Sequence, residues 1–319
     1  MRGLDPTLEA WLDAAAGPDD AFVGRLWRSV LRRPVEPAEL DETVARLRAG
    51  MSRSALVAEL AGSAEFGRVR LLDDAAAWAA AQRAAGERPR NLVAPPGTDE
   101  RPIEIPWCLA RYGGEPRVLD VGYVFAEPAY LAALGGLGAE RLVGVDLAAA
   151  EVPGLESVTA DLRGLPFEDG AFDVVIAIST LEHVGRDNSQ YGLAAERDDG
   201  SLDAALRELH RVLDGDGRLL VTVPASADDE LRPEQAVLAP GTWVGRFEDA
   251  GFLVWEDELY ELGADGWRSV TTLSGAGYGE RGPGASAVLC AELRPARLGA
   301  RLRLAVRDRR HADEPRRAV

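Results

Sequence analysis

Lysine is absent: all 36 basic residues in the 319-residue chain are arginine. Without it there is no phosphate-loop lysine, no pyridoxal Schiff base and no lysine nucleophile, so several large enzyme classes drop out. Cysteine is nearly absent too, and Cys108 and Cys290 lie in different regions. That excludes a disulfide scaffold and a cysteine-rich zinc site, while three histidines, His183, His210 and His311, are too few for a histidine-rich metal centre. No metal is expected. Positive charge is the minority, 36 basic against 53 acidic side chains for a net charge of −17, which repels phosphate backbones and argues against a nucleic-acid partner. No apolar run approaches the ~20 residues that span a bilayer, and the first residues lack the apolar core of a signal peptide. No transmembrane segment and a cytoplasmic location are therefore expected.

What is present is a globular composition, 46% hydrophobic and 28% charged, at a length that suits one large domain and a smaller one. Residues 8 to 85 read as helices. Phe22, Leu26, Trp27, Val30 and Leu31 share one face, Leu40, Val44 and Leu47 a second stripe after Pro34 and Pro37, and Leu56 and Leu60 a third after Ser52. Short helices with such stripes must bury them on one another, which predicts a small bundle. Pro89, Pro95, Pro96, Pro102 and Pro106 stand among polar residues and predict an extended linker. The far end is rich in arginine around Leu298, Leu302, Leu304 and Val306. It reads either as a basic amphipathic segment making weak contact with an anionic membrane surface or as a solvated tail fitted to the acidic body.

Between linker and tail, short apolar runs alternate with helical patterns. Val118 to Val121, Leu142 to Asp146, Ser157 to Thr159, Phe172 to Ile178 and Arg218 to Val223 are the first five strands, and Leu202, Ala205, Leu206, Leu209 and Leu213 stripe a helix before the fifth. Phe252 to Trp255 and Ala287 to Ala291 add two later strands, seven in all. The alternation predicts an α/β fold with a mostly parallel sheet and helices on both faces. Acids close the first two strands where an open α/β sheet forms its ligand crevice.

Five segments in order, Val118-Leu119-Asp120-Val121-Gly122, Val143-Gly144-Val145-Asp146-Leu147, Ala160-Asp161-Leu162, Leu165 to Val175 and Leu206 to Leu213, resemble the class I S-adenosylmethionine-dependent methyltransferases from about residue 108 to 293. The resemblance implies a Rossmann-like sheet and S-adenosylmethionine as cofactor. It places Gly122 at the methionyl end, Asp146 at the ribose, Asp161 and Leu162 at the adenine, and Ser179 with Thr180 facing the transferred methyl, and counts Asp120 and Leu147 among the cofactor-binding residues. Residues 19 to 70 separately resemble a small helical domain of unknown function that is found repeated in bacterial surface-associated proteins and fused to glycan-modifying enzymes. That company suggests a small-molecule or glycan acceptor, methylated at oxygen, and a helical domain that docks a protein partner. The resulting domains are 1–86 helical, 87–107 linker, 108–294 methyltransferase-like and 295–319 basic tail.

Two departures from the family pattern stand out. Val124 and Ala126 replace the second and third loop glycines, and a valine there is expected to resist positive φ and to crowd the cofactor. The connection Ala148 to Glu156 is too short for the usual helix, so the adenine side is expected to be open. Alternatives are a degenerate methyltransferase-like interaction module and a nicotinamide-dependent oxidoreductase, whose pyrophosphate would need the missing glycines. His183 and Glu182 are the catalytic candidates. His183 is read either as general base toward an acceptor hydroxyl or as a loop-orienting histidine, and Glu182 either as its orienter or as a helix cap.

Overall fold

A computed structural model of the chain describes residues 17–193, 198–275 and 277–296. They form two compact units, divided between residues 74 and 75. The arginine-rich tail beyond residue 296 and the proposed helical start at residues 8–16 lie outside the described residues.

The first unit holds α1 (Asp19–Val30), α2 (Pro37–Arg48), α3 (Arg53–Ala61) and the beginning of α4 (Ala64–Ala84). Its core is the three stripes expected from the sequence: Phe22, Val23, Leu26, Trp27 and Val30 of α1 bury against Val44 and Leu47 of α2 and Leu56, Val57 and Leu60 of α3. The starts of α2 and α3 are specified locally. Glu36 and Glu39 form a reciprocal capping box ahead of α2, and the Ser52 hydroxyl accepts from Ala55 N at 3.1 Å ahead of α3. Arg33 ties the helices together by donating to both Glu39 and Glu65.

The second unit is organised by one eight-stranded sheet in the order β3-β2-β1-β4-β5-β10-β8-β9. Its strands are β1 (Arg117–Val121), β2 (Arg141–Asp146), β3 (Glu156–Thr159), β4 (Phe172–Ile178), β5 (Leu213–Pro224), β8 (Phe252–Gly263), β9 (Gly266–Val270) and β10 (Ala287–Pro295). The first five are parallel; β10 runs antiparallel between β5 and β8. The expected seven strands become eight because β8 runs on past Trp255 to Gly263 and turns back as β9, within what reads as a loop. A separate two-stranded ribbon pairs β6 (Glu230–Leu231) with β7 (Ala236–Val237). Parallel strands buried on both faces need continuous apolar sequence, and Val174, Val175, Ile176 and Ala177 of β4 are all fully buried. Helices α6 (Pro128–Gly135), α7 (Ser201–Val212) and α8 (Pro240–Asp249) supply cover; α7 buries Leu202, Ala205, Leu206, Leu209 and Val212, the face its sequence period marks.

The proline-rich stretch is not a linker. Residues 101–111 form helix α5 (Arg101–Arg111), buried from Pro102 to Arg111. Pro102 sits in the first turn, where no amide donor is required, and Pro106 gives up one backbone bond while Ile103, Ile105, Trp107 and Leu109 are buried. At about 1.5–3 kcal/mol for each large apolar side chain, that burial outweighs the ~3 kcal/mol helix penalty of one interior proline. The preceding residues also join the sheet unit. Asn91 N donates to Glu258 at 2.8 Å, Leu92 N to the Tyr260 hydroxyl at 3.2 Å, and Ala94 bridges Trp267. Asp146 and Glu156 are joined without a helix, as the short connection implied. The Tyr123 ring lies against Gly144 there, and its hydroxyl contacts Ser157 and both backbone groups of Ala150.

Candidate active site

Beyond the carboxyl ends of β1, β2 and β4 lies a cavity of about 470 Å³. It sits where the strand order reverses between β1 and β4, the position at which open α/β sheets bind ligands. Of the ten residues singled out from the sequence, Asp120, Gly122, Asp146, Leu147, Asp161, Leu162, Ser179, Thr180 and His183 line it; Glu182 does not.

The floor is set by the turn after β1. Gly122 has φ of +84°, and a Cβ there would lie 2.3 Å from Thr180 Oγ1. No other residue fits. The Thr180 hydroxyl lies 3.0 Å from the carbonyls of both Val121 and Ile178, which ties the ends of β1 and β4 together. Its hydroxyl is thus committed to the strands instead of presenting itself to a transferred group. Beneath the turn, Asp120 is buried and accepts a hydrogen bond from the Tyr130 hydroxyl. Burial, reinforced by the nearby Asp146 charge, pushes its carboxyl up to about 7 although the Tyr130 bond opposes this.

Asp146 closes β2. Its Oδ2 accepts from Val124 N at 3.0 Å and its Oδ1 from Ala148 N at 3.3 Å, which fixes the plane of the carboxylate and leaves the remaining lone pairs for a ligand. Val124 therefore serves the site through its backbone. It is not among the residues with positive φ, and it does not line the cavity, where a crowding side chain was expected. The turn accommodates valine because Gly122 alone takes the left-handed conformation. Asp161 is engaged differently: both its oxygens accept from the Arg163 guanidinium, at 2.6 to 3.0 Å, and Oδ1 also from Arg163 N at 2.8 Å. Those bonds hold its carboxyl below the usual carboxylate range. Leu162 packs partly against the core beside it, and Leu147 is largely exposed at the rim.

The opposite wall comes from α5 and from the turn after β4. Ser179 adopts φ of +43°, an uncommon backbone for serine, held by donation from its N–H to Thr222 O at 3.0 Å and from its hydroxyl to Glu104 at 2.7 Å. Glu104 is fully buried and also pairs with Arg101, which lines the cavity. Glu100 lies on the same helix turn, its carboxyl pushed up to about 7 by burial and by the like charge of Glu104. Glu182 is buried behind the wall, and its Oε2 has no hydrogen-bond partner among the described residues. Burial pushes it up to about 8, so it is largely protonated near neutral pH.

His183 ends a short 3-10 turn, Leu181–His183. Its Nδ1 lies 2.7 Å from Glu234 O, a carbonyl that can only accept, so the proton sits on Nδ1 and Nε2 is the unprotonated nitrogen. Burial holds the imidazole below its ordinary pKa, keeping it neutral at pH 7. Nε2 is 4.0 Å from Glu182 Oε1, too far for a hydrogen bond. The Tyr191 ring meets His183 edge-on with centroids 5.8 Å apart, and Phe125 tilts against Tyr191 at 4.8 Å.

Sequence reasoning missed Arg101, Glu104 and Phe125. The first two were hidden by the linker reading, although Arg101 and Glu104 have the i, i+3 spacing of a helical ion pair. Phe125 was visible as an aromatic residue in a loop where the family pattern has glycines.

Residues 119–221 match the family model described as a methyltransferase domain. Curated protein sequences contain no match. Similar solved structures include 1,6-didemethyltoxoflavin-N1-methyltransferase of Burkholderia thailandensis, solved with 1,6-didemethyltoxoflavin and S-adenosylhomocysteine, at 14% identity over 82% of this chain and 92% of that one, TM-score 0.41. A S-adenosylmethionine-dependent methyltransferase of Thermotoga maritima matches at 16% identity over 72% and 95%, TM-score 0.38. The [4+2]-cyclase SpnF matches at 20% identity over 60% and 71%, TM-score 0.40.

Proposed function

We propose that the chain is an S-adenosylmethionine-dependent methyltransferase acting at oxygen on a small-molecule or glycan acceptor. The observation that carries this reading is a coincidence of spans: the stretch matching a methyltransferase domain, residues 119–221, supplies every singled-out residue that lines the cavity. Asp146, its carboxylate plane fixed by two backbone amides, would accept from the ribose hydroxyls. Leu162 would flank the adenine, and Asp161, paired to Arg163, would offer its remaining lone pairs to the exocyclic amine. The Gly122 turn leaves room for the methionyl chain. S-adenosylmethionine supplies a sulfonium-bound methyl group that an oxygen nucleophile can take by in-line displacement. Much of the acceleration would come from holding the two in register.

The dinucleotide alternative is disfavoured by charge. A pyrophosphate in this fold sits at the N-terminus of the helix after β1, and here that helix, α6, has Glu127 as its N-cap and Pro128 at its first position. Glu127 lines the cavity, where a carboxylate repels phosphate and suits a cationic amino-acid end. Calorimetry with S-adenosylmethionine, S-adenosylhomocysteine and NAD tests the assignment. Binding of the first two and not the third is expected. Binding of NAD alone, or of none, would sink it.

A further inference from the structure

Phe125, Tyr191 and His183 form a continuous run of rings along the cavity, from the turn that follows β1 to the turn that follows β4. Phe125 is 54% exposed, an unusual degree for a phenylalanine, with its ring tilted against Tyr191. A wall of rings set at 36° and 86° to one another that ends on a histidine selects for shape as well as for charge. We infer that the acceptor is a phenol, a planar aromatic hydroxyl compound whose ring packs against Phe125 and Tyr191 with its hydroxyl at Nε2 of His183. This rests on the methyl-transfer reading and names the acceptor class within it.

Three observations converge on it. The first is the wall itself: rings stack on rings with centroids 4.5–7 Å apart, and a sugar offers a hydroxyl-covered surface that would desolvate against Phe125 without partners. The second is the base. Nδ1 of His183 is committed to Glu234 O, so Nε2 is the acceptor nitrogen, and the imidazole is held neutral by burial, with Arg101 opposing protonation and the Glu234 charge favouring it. Glu182, 4.0 Å away, and the Tyr191 phenol, whose ring packs edge-on against the imidazole and whose pKa burial raises, are the other titratable groups facing it. Such a base is weak. A phenol ionises near pH 10, within reach of it, whereas an aliphatic hydroxyl lies close to water at about 15.7. Proton transfer from a sugar hydroxyl to a neutral imidazole is therefore disfavoured by about six further powers of ten.

The third is Arg101. Arg101 lines the same cavity, and it donates through Nη1 to Glu104, the only hydrogen bond its side chain makes among the described residues. Guanidinium nitrogens not engaged by Glu104 would be available to offset the charge of a phenolate oxygen, in competition with the nearby Glu100 and Glu182. In the step itself the hydroxyl proton goes to Nε2, an oxygen lone pair forms the new C–O bond, and the electrons of the broken S–C bond remain on sulfur. The products are an aryl methyl ether, a neutral thioether and one proton on His183, which then leaves to solvent.

The test uses the full chain, alone and saturated with S-adenosylhomocysteine, and two probes, 4-nitrophenol and methyl α-glucopyranoside. Calorimetry is expected to show binding of 4-nitrophenol and not of the glucoside. The visible absorbance of the bound phenol should report a larger phenolate fraction than the free compound has at the same pH. Tyr191→Ala should weaken the phenol by about tenfold and Tyr191→Phe by less than threefold, since the ring and not its hydroxyl does the packing. Preference for the glucoside, equal loss in both Tyr191 variants, or no phenol binding to protein that does bind S-adenosylhomocysteine overturns the inference. Phenol binding without S-adenosylhomocysteine binding would overturn the methyl-transfer reading and leave the aromatic site standing, so the two fail separately.

Discussion

Thr180 occupies the space a side chain at residue 122 would need. A Cβ built on Gly122 comes within 2.3 Å of its Oγ1 and 2.6 Å of its Cγ2, and the glycine's φ of +84° is itself a strained conformation for any other residue. Gly122→Ala should therefore cost both backbone strain, about 1–3 kcal/mol, and displacement of Thr180 from the two carbonyls it bridges. Cofactor affinity should fall at least tenfold. Pairing it with Thr180→Ala should restore part of the loss by removing the clash but not the strain. Full recovery in the double variant, read by calorimetry, would show that φ does not matter here.

Asp146→Ala should weaken S-adenosylmethionine roughly tenfold to a hundredfold, since a charge-assisted acceptor is worth about 1.5–3 kcal/mol. Asp146→Asn separates two contributions. Its amide oxygen can keep one of the bonds now made by Val124 N and Ala148 N, so the loop survives while the charge is lost. An unchanged dissociation constant in both variants would remove the ribose from this corner.

Val124→Gly should not tighten binding. The side chain does not line the cavity, and the residue's contribution is an N–H to Asp146 at 3.0 Å that glycine also possesses. Glycine adds freedom to a loop that must stay ordered, at a cost of about 0.5–1 kcal/mol. A two- to fivefold weakening is expected. A clear gain would restore the idea that valine crowds the cofactor.

This correction shows where the sequence was legible. Hydrophobic runs carrying Asp120 and Asp146 at their ends marked the parallel strands and the crevice, because burial on both faces leaves few residues a strand can use. The stripes of α1 to α3 and α7 were equally plain. What could not be read was anything decided by contacts distant in sequence. The helix at Arg101–Arg111 contains two prolines and forms because its faces are buried against the sheet, and its Glu104 meets Ser179 from 75 positions away. Likewise β9 exists because β8 is there to pair with. In the candidate site, the lining residues that fall within the ordered motifs were legible, and Arg101, Glu104 and Phe125 were not.

Glu182 should impose a pH dependence on stability. Its carboxyl is pushed up to about 8 in the folded chain, against 4.5 as the ordinary value, so the folded state holds the proton more tightly than the unfolded one. The favourable contribution is then complete below about pH 4.5 and is lost as pH rises toward 8. Glu100 and Asp120, each raised to about 7, act with the same sign. Glu182→Gln cannot ionise, so relative to the parent it should gain stability between pH 5 and 9, by on the order of 2 kcal/mol or several degrees in Tm. Parallel melting curves for the two proteins across that range would mean that Glu182 is not buried as a neutral acid.

His183 offers the sharpest separation between chemistry and architecture. With Nδ1 bonded to Glu234 O and burial holding its pKa below 6.5, it stands neutral at pH 7 with Nε2 as acceptor. As general base it should give kcat/KM an acid limb with its midpoint below 6.5, since only the neutral imidazole takes a proton. His183→Ala should lower turnover by on the order of 10²–10⁴ while S-adenosylmethionine affinity stays within about threefold. The same substitution removes the bond to Glu234, so a loss of about 1 kcal/mol in stability is expected whichever role it has. Turnover per folded molecule is therefore the deciding quantity. If it is unchanged, or if the acid limb persists in the variant, the histidine only fastens its turn to the β6–β7 ribbon and the proton leaves by another group.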